Sequence, residues 1–284
     1  MNISIMTVSS PLDSDTMNEI NELLQEQAVN YTSLLSIDEF TDTHITGFCV
    51  LAYDDDSDKL VGVLSAIDRL ATGEFEWSTV VSHALCRQGI GTRLVGELDR
   101  NLVLRGAISD LALVPEKSEY GRQWLKKFGY EYDFSERTMV AKAEAASINS
   151  EVEIISYSSE ESELIDVLMS AFGDTVEEVM NFIAFNMQSP NRRLMVATLE
   201  RSVVGTVTIV DDSDKLWVTG LGVHEHARGK GIATSMLNWA KNEAQLLGKE
   251  SIYLDVETDN DTALSIYEKA GFETIHHTHF FQKR

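Results

Sequence analysis

Cysteine is scarce in this sequence. Its 284 residues include two, Cys49 and Cys86, which cannot build the disulfide framework of a small secreted domain. The Cys and His residues do not have the spacing of a zinc site, and His276, His277 and His279 fall in a segment that alternates like a final strand. We therefore expect reduced thiols and no metal site.

Long apolar runs and positive charge are lacking as well. No run approaches the roughly 20 apolar residues that cross a bilayer, and the first six residues lack the basic flank of a secretory signal. The formal net charge of −23, from 23 basic and 46 acidic residues, would repel nucleic acid and anionic membranes. These absences favour a cytoplasmic protein with neither nucleic acid nor a membrane as a partner.

What the sequence does contain is a repeat. Residues 88–92 match residues 230–234, and residues 127–130 match residues 269–272, both at an offset of 142. Two matches at one offset indicate a tandem duplication. Residues 141–150 have no strand or core pattern and are predicted to be a linker, so the expected domains are 1–145 and 151–284.

Both halves predict the same order of elements, that of a mixed α/β fold with a central sheet flanked by helices. Met169 and Phe172 are expected on the packed face of the first helix of the second half, and Leu247 on that of its long helix. The other elements of that half are a helix at 175–187, helices from 232 and at 263–270, strands at 152–157, 194–199, 203–210, 216–223 and 251–256, a turn at 211–214, and strands after 271. The first half predicts a helix at 17–27, strands at 48–53, 60–67 and 75–81, and a long helix from 90.

A strand, a glycine-bearing turn and a helix follow one another between residues 221 and 233. Gly229 and Gly231 let a ligand approach the backbone, and the first N–H groups of the helix attract an anion, helped by Arg228 and Lys230. A phosphate or pyrophosphate is the natural ligand. The segment is neither a P-loop nor a dinucleotide fingerprint, because it lacks the Gly-Lys-Ser/Thr triplet and the third glycine.

This segment resembles the acetyl-CoA-binding motif of the GNAT superfamily of N-acetyltransferases, through Arg228, Gly231 and Ala233. A second GNAT motif is similar to residues 260–272, and the resemblance covers residues 152–284 well. It implies two tandem GNAT-like domains, each with a mixed, mostly antiparallel sheet, and acetyl-CoA as the acyl-donor substrate. The residues expected to contact acetyl-CoA are Leu221, Gly222, Val223, Arg228, Gly229, Lys230, Gly231, Ile232, Ala233, Thr234, Asn260, Ala263 and Tyr267.

The resemblance also implies two catalytic groups. The backbone N–H of Val223 would point at the thioester oxygen, which gains negative charge during acyl transfer. Tyr267 would be the general acid, because a phenol stays protonated at neutral pH and can donate to a thiolate. The general base stays open, with Glu225, Glu257 and Asp255 as candidates. A further pair of carboxylates, those of Glu177 and Glu178, is a candidate for a cationic acceptor's pocket.

The N-terminal half departs from the motif at the matching positions. Arg228 corresponds to Cys86, Asn260 to Ser118 and Tyr267 to Leu125, while Arg87 replaces the first glycine of the loop. Leucine cannot donate a proton, so this half is interpreted as a degenerate copy that is structural or retains the coenzyme. Transfer through the Cys86 thiol is disfavoured, since only His83 lies in the expected neighbourhood.

The sequence therefore predicts a monomeric or homodimeric enzyme that acetylates a primary amine of a small molecule or peptide. General solubility explains most of the negative charge, and attraction of a cationic acceptor is a second interpretation. The alternative function is that of an acyl-CoA-binding sensor or scaffold without turnover. The acceptor, the base, the oligomeric state and coenzyme binding by the first half are left open.

Overall fold

The computed structural model describes residues 2–26, 34, 38–41, 45–69, 71–158, 161–212 and 214–283. The elements of the first half are β1 (Ile3–Ser9), α1 (Ser14–Gln25), β2 (Thr46–Asp54), β3 (Lys59–Asp68), β4 (Glu74–Val81), α2 (Ile90–Leu104), β5 (Ser109–Pro115), α3 (Glu119–Leu125) and β6 (Tyr130–Lys142). Those of the second half are β7 (Val152–Ser156), α4 (Glu161–Phe172), α5 (Val176–Gln188), β8 (Arg192–Leu199), β9 (Ser202–Asp212), β10 (Lys215–Val223), α6 (Ile232–Leu246), β11 (Ser251–Glu257), α7 (Asp261–Lys269) and β12 (Glu273–Lys283).

The chain forms two compact units. The first consists of Met1–Phe134 and Thr278–Arg284, and the second of Ser135–His277. In the first unit the strand order is β1-β2-β3-β4-β5-β12, and in the second it is β6-β11-β10-β9-β8-β7. Each sheet has a single parallel pair, β4 with β5 and β10 with β11, and its other recorded pairs are antiparallel. Each unit is therefore the mixed, mostly antiparallel sheet with helices that the sequence predicts.

The two units differ from the contiguous domains 1–145 and 151–284 expected from the sequence. Each unit includes a strand segment from the other half of the chain. In the first unit, the last part of β12 pairs antiparallel with β5, from Thr278 opposite Pro115 to Gln282 opposite Leu111. In the second unit, the last part of β6 pairs antiparallel with β11. The segment that completes each sheet thus comes from the other half of the sequence.

The predicted linker was wrong at its start. Ala141 and Lys142 are the last residues of β6, and Ala141, only 3% exposed, lies opposite Ile252. Ala141 and Lys142 continue into the alanine-rich run of residues 143–146, so the sequence pattern did not mark the end of the strand. The irregular segment that follows is held to α6, because the Asn242 side chain accepts from the Ala146 N–H at 2.8 Å and donates to its carbonyl at 3.0 Å.

Most predicted elements match the structure within a few residues. The first helix begins earlier than expected, at Ser14, because Asp13 caps it by accepting from the Thr16 N–H at 2.8 Å. Its predicted end, Gln27, lies outside the described residues, as does Ser213 of the predicted turn, where Asp211 and Asp212 belong to β9. The first strand, β1, is an element that the sequence analysis did not predict.

The sheet of the second unit packs against helices that each present an apolar face. Ile232, Met236 and Ala240 recur at helical spacing on α6 and are buried against the sheet. On α4 and α5 the buried apolar residues are Leu164, Val167, Leu168, Val179 and Ile183. Met169, Phe172 and Leu247, predicted on packed faces, are instead exposed. Among the described helices none is long and apolar enough to span a membrane.

Candidate acyl-transfer site

The site lies where β10 and β11 separate. These parallel strands are paired from Leu216 with Ile252 to Val218 with Leu254, and both continue beyond that point. At the same place the pairing of β10 with β9 shifts register between Thr219 and Gly222. Such a bulge bends a strand away from its neighbour. The carboxyl end of β10 therefore borders a cleft beside β11.

The two glycines of the bulge serve helix packing. A Cβ on Gly220 would lie 2.6 Å from the Phe182 ring of α5, and one on Gly222 would lie 2.8 Å from the Ala171 Cβ of α4. Any larger residue would push these helices away from β10. This face of β10 is thus covered by α4 and α5.

The glycine loop that follows β10 has the backbone of an anion-binding turn. Gly229 and Gly231 both have φ of +76°, and a Cβ at either position would meet nothing within 4 Å. Gly231 caps α6 without a side-chain hydrogen bond, and the N–H groups of residues 229–233 have no protein acceptor within the described chain. These donors and the positive end of the helix dipole face one open space.

The two cations of the loop behave differently. Arg228 folds back, donating from Nε to the Val223 carbonyl at 3.3 Å and from a terminal nitrogen to the Ser170 carbonyl at 3.2 Å. Its charge thus stays close to the turn and ties the loop to β10 and α4. Lys230 is exposed, so its ammonium group adds positive potential without fixing the loop.

The Val223 N–H points toward the cleft. The next residue, His224, donates its N–H to the Val204 carbonyl of β9 at 2.9 Å. Because successive N–H groups of a strand point in opposite directions, that of Val223 faces away from β9. The Arg228 side chain bonds the Val223 carbonyl on that same side.

Helix α7 presents the third part of the site. Asn260 caps the helix, since its Oδ1 accepts from the Ala263 N–H at 3.0 Å, and Tyr267 lies two turns further along. The Tyr267 side chain is 8% exposed, and its hydroxyl has no hydrogen-bond partner among the described residues. Burial raises the pKa of Tyr267 to about 12, so the phenol keeps its proton at neutral pH.

The structure brings the apolar members of the predicted site together in one cluster and leaves the polar members at its rim. The clustered residues are Leu221, Val223, Ile232, Ala263 and Tyr267. Gly222 is buried next to them, and Ala233 is half-buried in the first turn of α6. The exposed residues are Arg228, Gly229, Lys230, Gly231, Thr234 and Asn260.

The carboxylates considered as bases are all exposed. Asp255 accepts from the Thr138 hydroxyl at 2.6 Å, and the Glu225 carboxylate lies 3.7 Å from His226 Nε2. Glu178 is committed elsewhere, because it forms a capping box with Thr175, accepting from its N–H at 2.8 Å and its hydroxyl at 2.7 Å. That bond lowers the pKa of Glu178 and makes the residue part of the α5 cap.

The matching loop of the first unit keeps its backbone but not its side chains. Arg87 has φ of +64° and Gly89 +84°, and Gly89 caps α2 as Gly231 caps α6. Ser118 caps α3 by accepting from the Gly121 N–H at 3.3 Å, the bond that Asn260 makes in the second unit. Leu125, in the place of Tyr267, is 1% exposed and packs in the core.

Neither the cysteines nor the histidines assemble into a centre. Cys49 is buried, Cys86 is exposed, and both are free thiols. Over the described part of the chain, no three His, Cys, Asp or Glu residues come together in a metal-binding group.

The sequence matches the family model "Acetyltransferase (GNAT) family" over residues 161–272. The structure is similar to a GCN5-related N-acetyltransferase from Sphaerobacter thermophilus, with a TM-score of 0.76 at 16% identity, covering 98% of this chain and 95% of the other. It is also similar to a tandem GNAT protein from the clavulanic acid biosynthesis pathway, with a TM-score of 0.71 at 12% identity and 98% of both chains covered.

A third similar structure is an acetyltransferase of the GNAT family from Colwellia psychrerythraea, with a TM-score of 0.61 at 14% identity, covering 99% of this chain and 100% of the other. At these identities the likeness concerns the fold, and the sequence match supplies the family of the second half. The match over residues 161–272 shows that the second half of the chain belongs to the GNAT family of acetyltransferases, and the chain as a whole has the fold of a tandem GNAT protein.

Proposed function

We propose that the second unit transfers the acetyl group of acetyl-CoA to a primary amine of a small molecule or peptide. The observation that carries the proposal is the convergence of three elements on one cleft: the end of β10, the glycine loop and α7. The GNAT family implies acetyl transfer from acetyl-CoA. The amine as acceptor and the roles of single residues are the proposed part.

The residues of the loop fit the pyrophosphate of coenzyme A. Gly229 and Gly231 leave the space above the turn open, and the N–H groups of residues 229–233 point into it without protein acceptors in the described chain. Arg228 and Lys230 add local positive charge to an acidic protein. In our assignment the pantetheine arm follows β10 to the apolar cluster around Leu221, Ala263 and Tyr267.

Acetyl-CoA supplies an acetyl thioester, and the chain's groups stabilise the charges that its cleavage creates. In the proposed step the neutral amine attacks the carbonyl carbon, the carbon–sulfur bond breaks, and the amine loses a proton to a base. The Val223 N–H stabilises the negative charge on the carbonyl oxygen. The Tyr267 hydroxyl donates a hydrogen bond to the departing sulfur, which leaves as the thiolate of coenzyme A and takes up a proton. Proton removal is assigned to water and the exposed carboxylates near the strand ends.

Titration calorimetry of the full chain tests the loop. Gly231→Asp places a side chain and a negative charge in the space assigned to the pyrophosphate, so acetyl-CoA binding to the second unit should be abolished. The new Cβ would contact no protein atom, and a φ of +76° costs a non-glycine residue about 1–2 kcal/mol, less than the stability of a typical domain, so the variant should fold. Gly89→Asp is the matched control, because Gly89 has a similar φ and an equally open Cβ position in the first unit.

The number of acetyl-CoA molecules bound per chain in the two variants shows which unit binds the coenzyme. Binding that survives Gly231→Asp at the original affinity would contradict the loop assignment. Binding that needs Gly89 instead would move the coenzyme site to the first unit. Acetylation of an amine is monitored by the release of free thiol. If acetyl-CoA binds but no amine is acetylated, the result would support the acyl-CoA sensor in place of the enzyme.

A further inference from the structure

An arginine that the sequence analysis did not single out lies on the α5 side of the sheet, where β10 and β11 separate. Arg192 begins β8, and its backbone is opposite Val210, which is opposite Trp217 of β10. Its guanidinium reaches across the sheet, and a terminal nitrogen donates to the Thr219 hydroxyl at 3.4 Å. Thr219 is the residue at which the bulge of β10 starts.

The guanidinium is held in place by neutral groups. Nε donates to the Asn186 Oδ1 at 2.9 Å, and the Asn186 side chain, 1% exposed, donates in turn to the Phe182 carbonyl at 2.8 Å. The ring of Phe185 lies under the cation, with its centroid 4.7 Å from the guanidinium carbon. These contacts orient a rigid fork of donors and leave three of its five N–H groups without a protein acceptor in the described chain.

Within the described part of the chain, the cation has no counter-charge. Arg192 is half-buried, and no carboxylate of the described residues lies within ion-pair distance of it. Burial lowers the pKa of Arg192, and no neighbouring charge offsets this. Its neighbour Arg193, in contrast, pairs with Glu243 at 2.9 Å. A desolvated guanidinium with free donors matches the planar, bidentate geometry of a carboxylate.

We infer that Arg192 binds a carboxylate of the acceptor, so that the substrate of the proposed acetyl transfer is an amine that also carries a carboxylate, as an amino acid does. The inference rests on the proposed function, because it places the acceptor on the α5 side of the thioester. Arg192 is a specificity residue, since it contacts the acceptor away from the reacting atoms.

This inference refines the expectation of a cationic acceptor. Net charge acts over the whole surface and speeds the approach of cations, whereas Arg192 acts on the bound molecule at short range. A basic amino acid is attracted by the net charge and can also bind Arg192 through its carboxylate. Its decarboxylated amine is attracted by the net charge only. Comparison of the two molecules therefore separates the local contact from the general charge.

The test uses the full chain and matched pairs of acceptors, each an amino acid and the amine left after its decarboxylation: lysine with cadaverine, ornithine with putrescine, phenylalanine with phenethylamine. Free-thiol release gives kcat and KM for each acceptor, and calorimetry gives the affinity for acetyl-CoA. The wild-type protein should prefer the member with the carboxylate. Arg192→Gln should lower kcat/KM for that member about tenfold to 150-fold, mainly through KM, and leave its partner nearly unchanged.

Arg192→Lys should restore part of the preference, because it keeps the charge without the fork. Two controls address a structural role. Arg193→Gln removes a neighbouring exposed charge, and Arg105→Gln removes a guanidinium that also contacts an asparagine and a Phe ring, Asn101 and Phe48. Neither should alter the preference.

Two results would overturn the inference while acetylation itself persists. One is an equal loss of kcat/KM for both members of a pair after Arg192→Gln, and the other is a wild-type preference for the decarboxylated amines. If no member of any pair is acetylated, both the proposed function and the acceptor assignment fail. Acetyl-CoA affinity should be unchanged by Arg192→Gln, and a loss of it would assign Arg192 to the coenzyme site.

Discussion

Replacing Tyr267 by Phe removes one hydroxyl from the cleft and changes little else. The ring is buried and packs with Phe272, their centroids 6.2 Å apart, and this packing survives in the variant. The hydroxyl has no hydrogen-bond partner among the described residues, so its loss should not lower the free energy of unfolding by breaking a bond. A fall in activity would therefore report on the chemistry.

The pKa of about 12 sets the size of the expected effect. A coenzyme thiol has a pKa near 8.5, as a cysteine does, so complete proton transfer from this phenol is uphill, and Tyr267 acts chiefly as a hydrogen-bond donor to the departing sulfur. A hydrogen bond to a charged group corresponds to about 10-fold to 150-fold in rate, and general acids contribute about 10²-fold to 10⁴-fold. We expect kcat to fall by about 10²-fold, where these ranges meet.

Steady-state kinetics by free-thiol release measures the fall in kcat, and calorimetry should find the affinity for acetyl-CoA unchanged. The kcat of variants with substitutions at Cys86 and Arg87, in the first unit, is compared with that of Tyr267→Phe. Full activity of Tyr267→Phe would refute the assignment of Tyr267. If changes at Cys86 or Arg87 destroyed the activity instead, the chemistry would belong to the other half.

Two further predictions concern stability. Leu125→Ala should lower the free energy of unfolding of the first unit by about 2–5 kcal/mol, because it removes a side chain that is 1% exposed, and denaturant titration would measure this while the activity of the folded protein stays unchanged. Burial raises the pKa of Tyr267 from 10 to about 12, so its contribution to stability is complete below pH 10 and is lost as the pH rises through 12. Thermal unfolding between pH 9 and pH 12 should therefore show a smaller alkaline loss for Tyr267→Phe than for the wild-type protein.

The glycine loop and the order of the elements could be predicted because they depend on local chemistry. Gly229 and Gly231 adopt a φ that other residues disfavour, and the apolar spacing of α6 places Ile232 and Met236 on one face. The family resemblance supplied what spacing alone does not, the roles of Asn260 and Tyr267. These roles stay predictions until the variants are measured.

The exchange of terminal strands could not be predicted, because strand pairing is a property of tertiary structure. The repeat predicts two similar sheets, but the sequences of β6 and β12 do not indicate which sheet each strand completes. Arg192 was missed for a similar reason. Its partners Asn186 and Thr219 lie on other elements, and only the folded chain shows that none of the described carboxylates pairs with Arg192.

A glycine loop is by itself insufficient to identify a working site in this protein. The first unit holds Arg87 at φ +64°, a conformation that costs a non-glycine residue about 1–2 kcal/mol, and so preserves the turn that starts α2. The turn is therefore needed to pass from strand to helix whether or not a coenzyme binds there. What distinguishes the halves is the side chain on the next helix, a tyrosine hydroxyl in one and the packed Leu125 in the other. N–H donors placed by the backbone are common to both units, whereas the hydroxyl assigned to stabilise the departing sulfur belongs to the second unit alone.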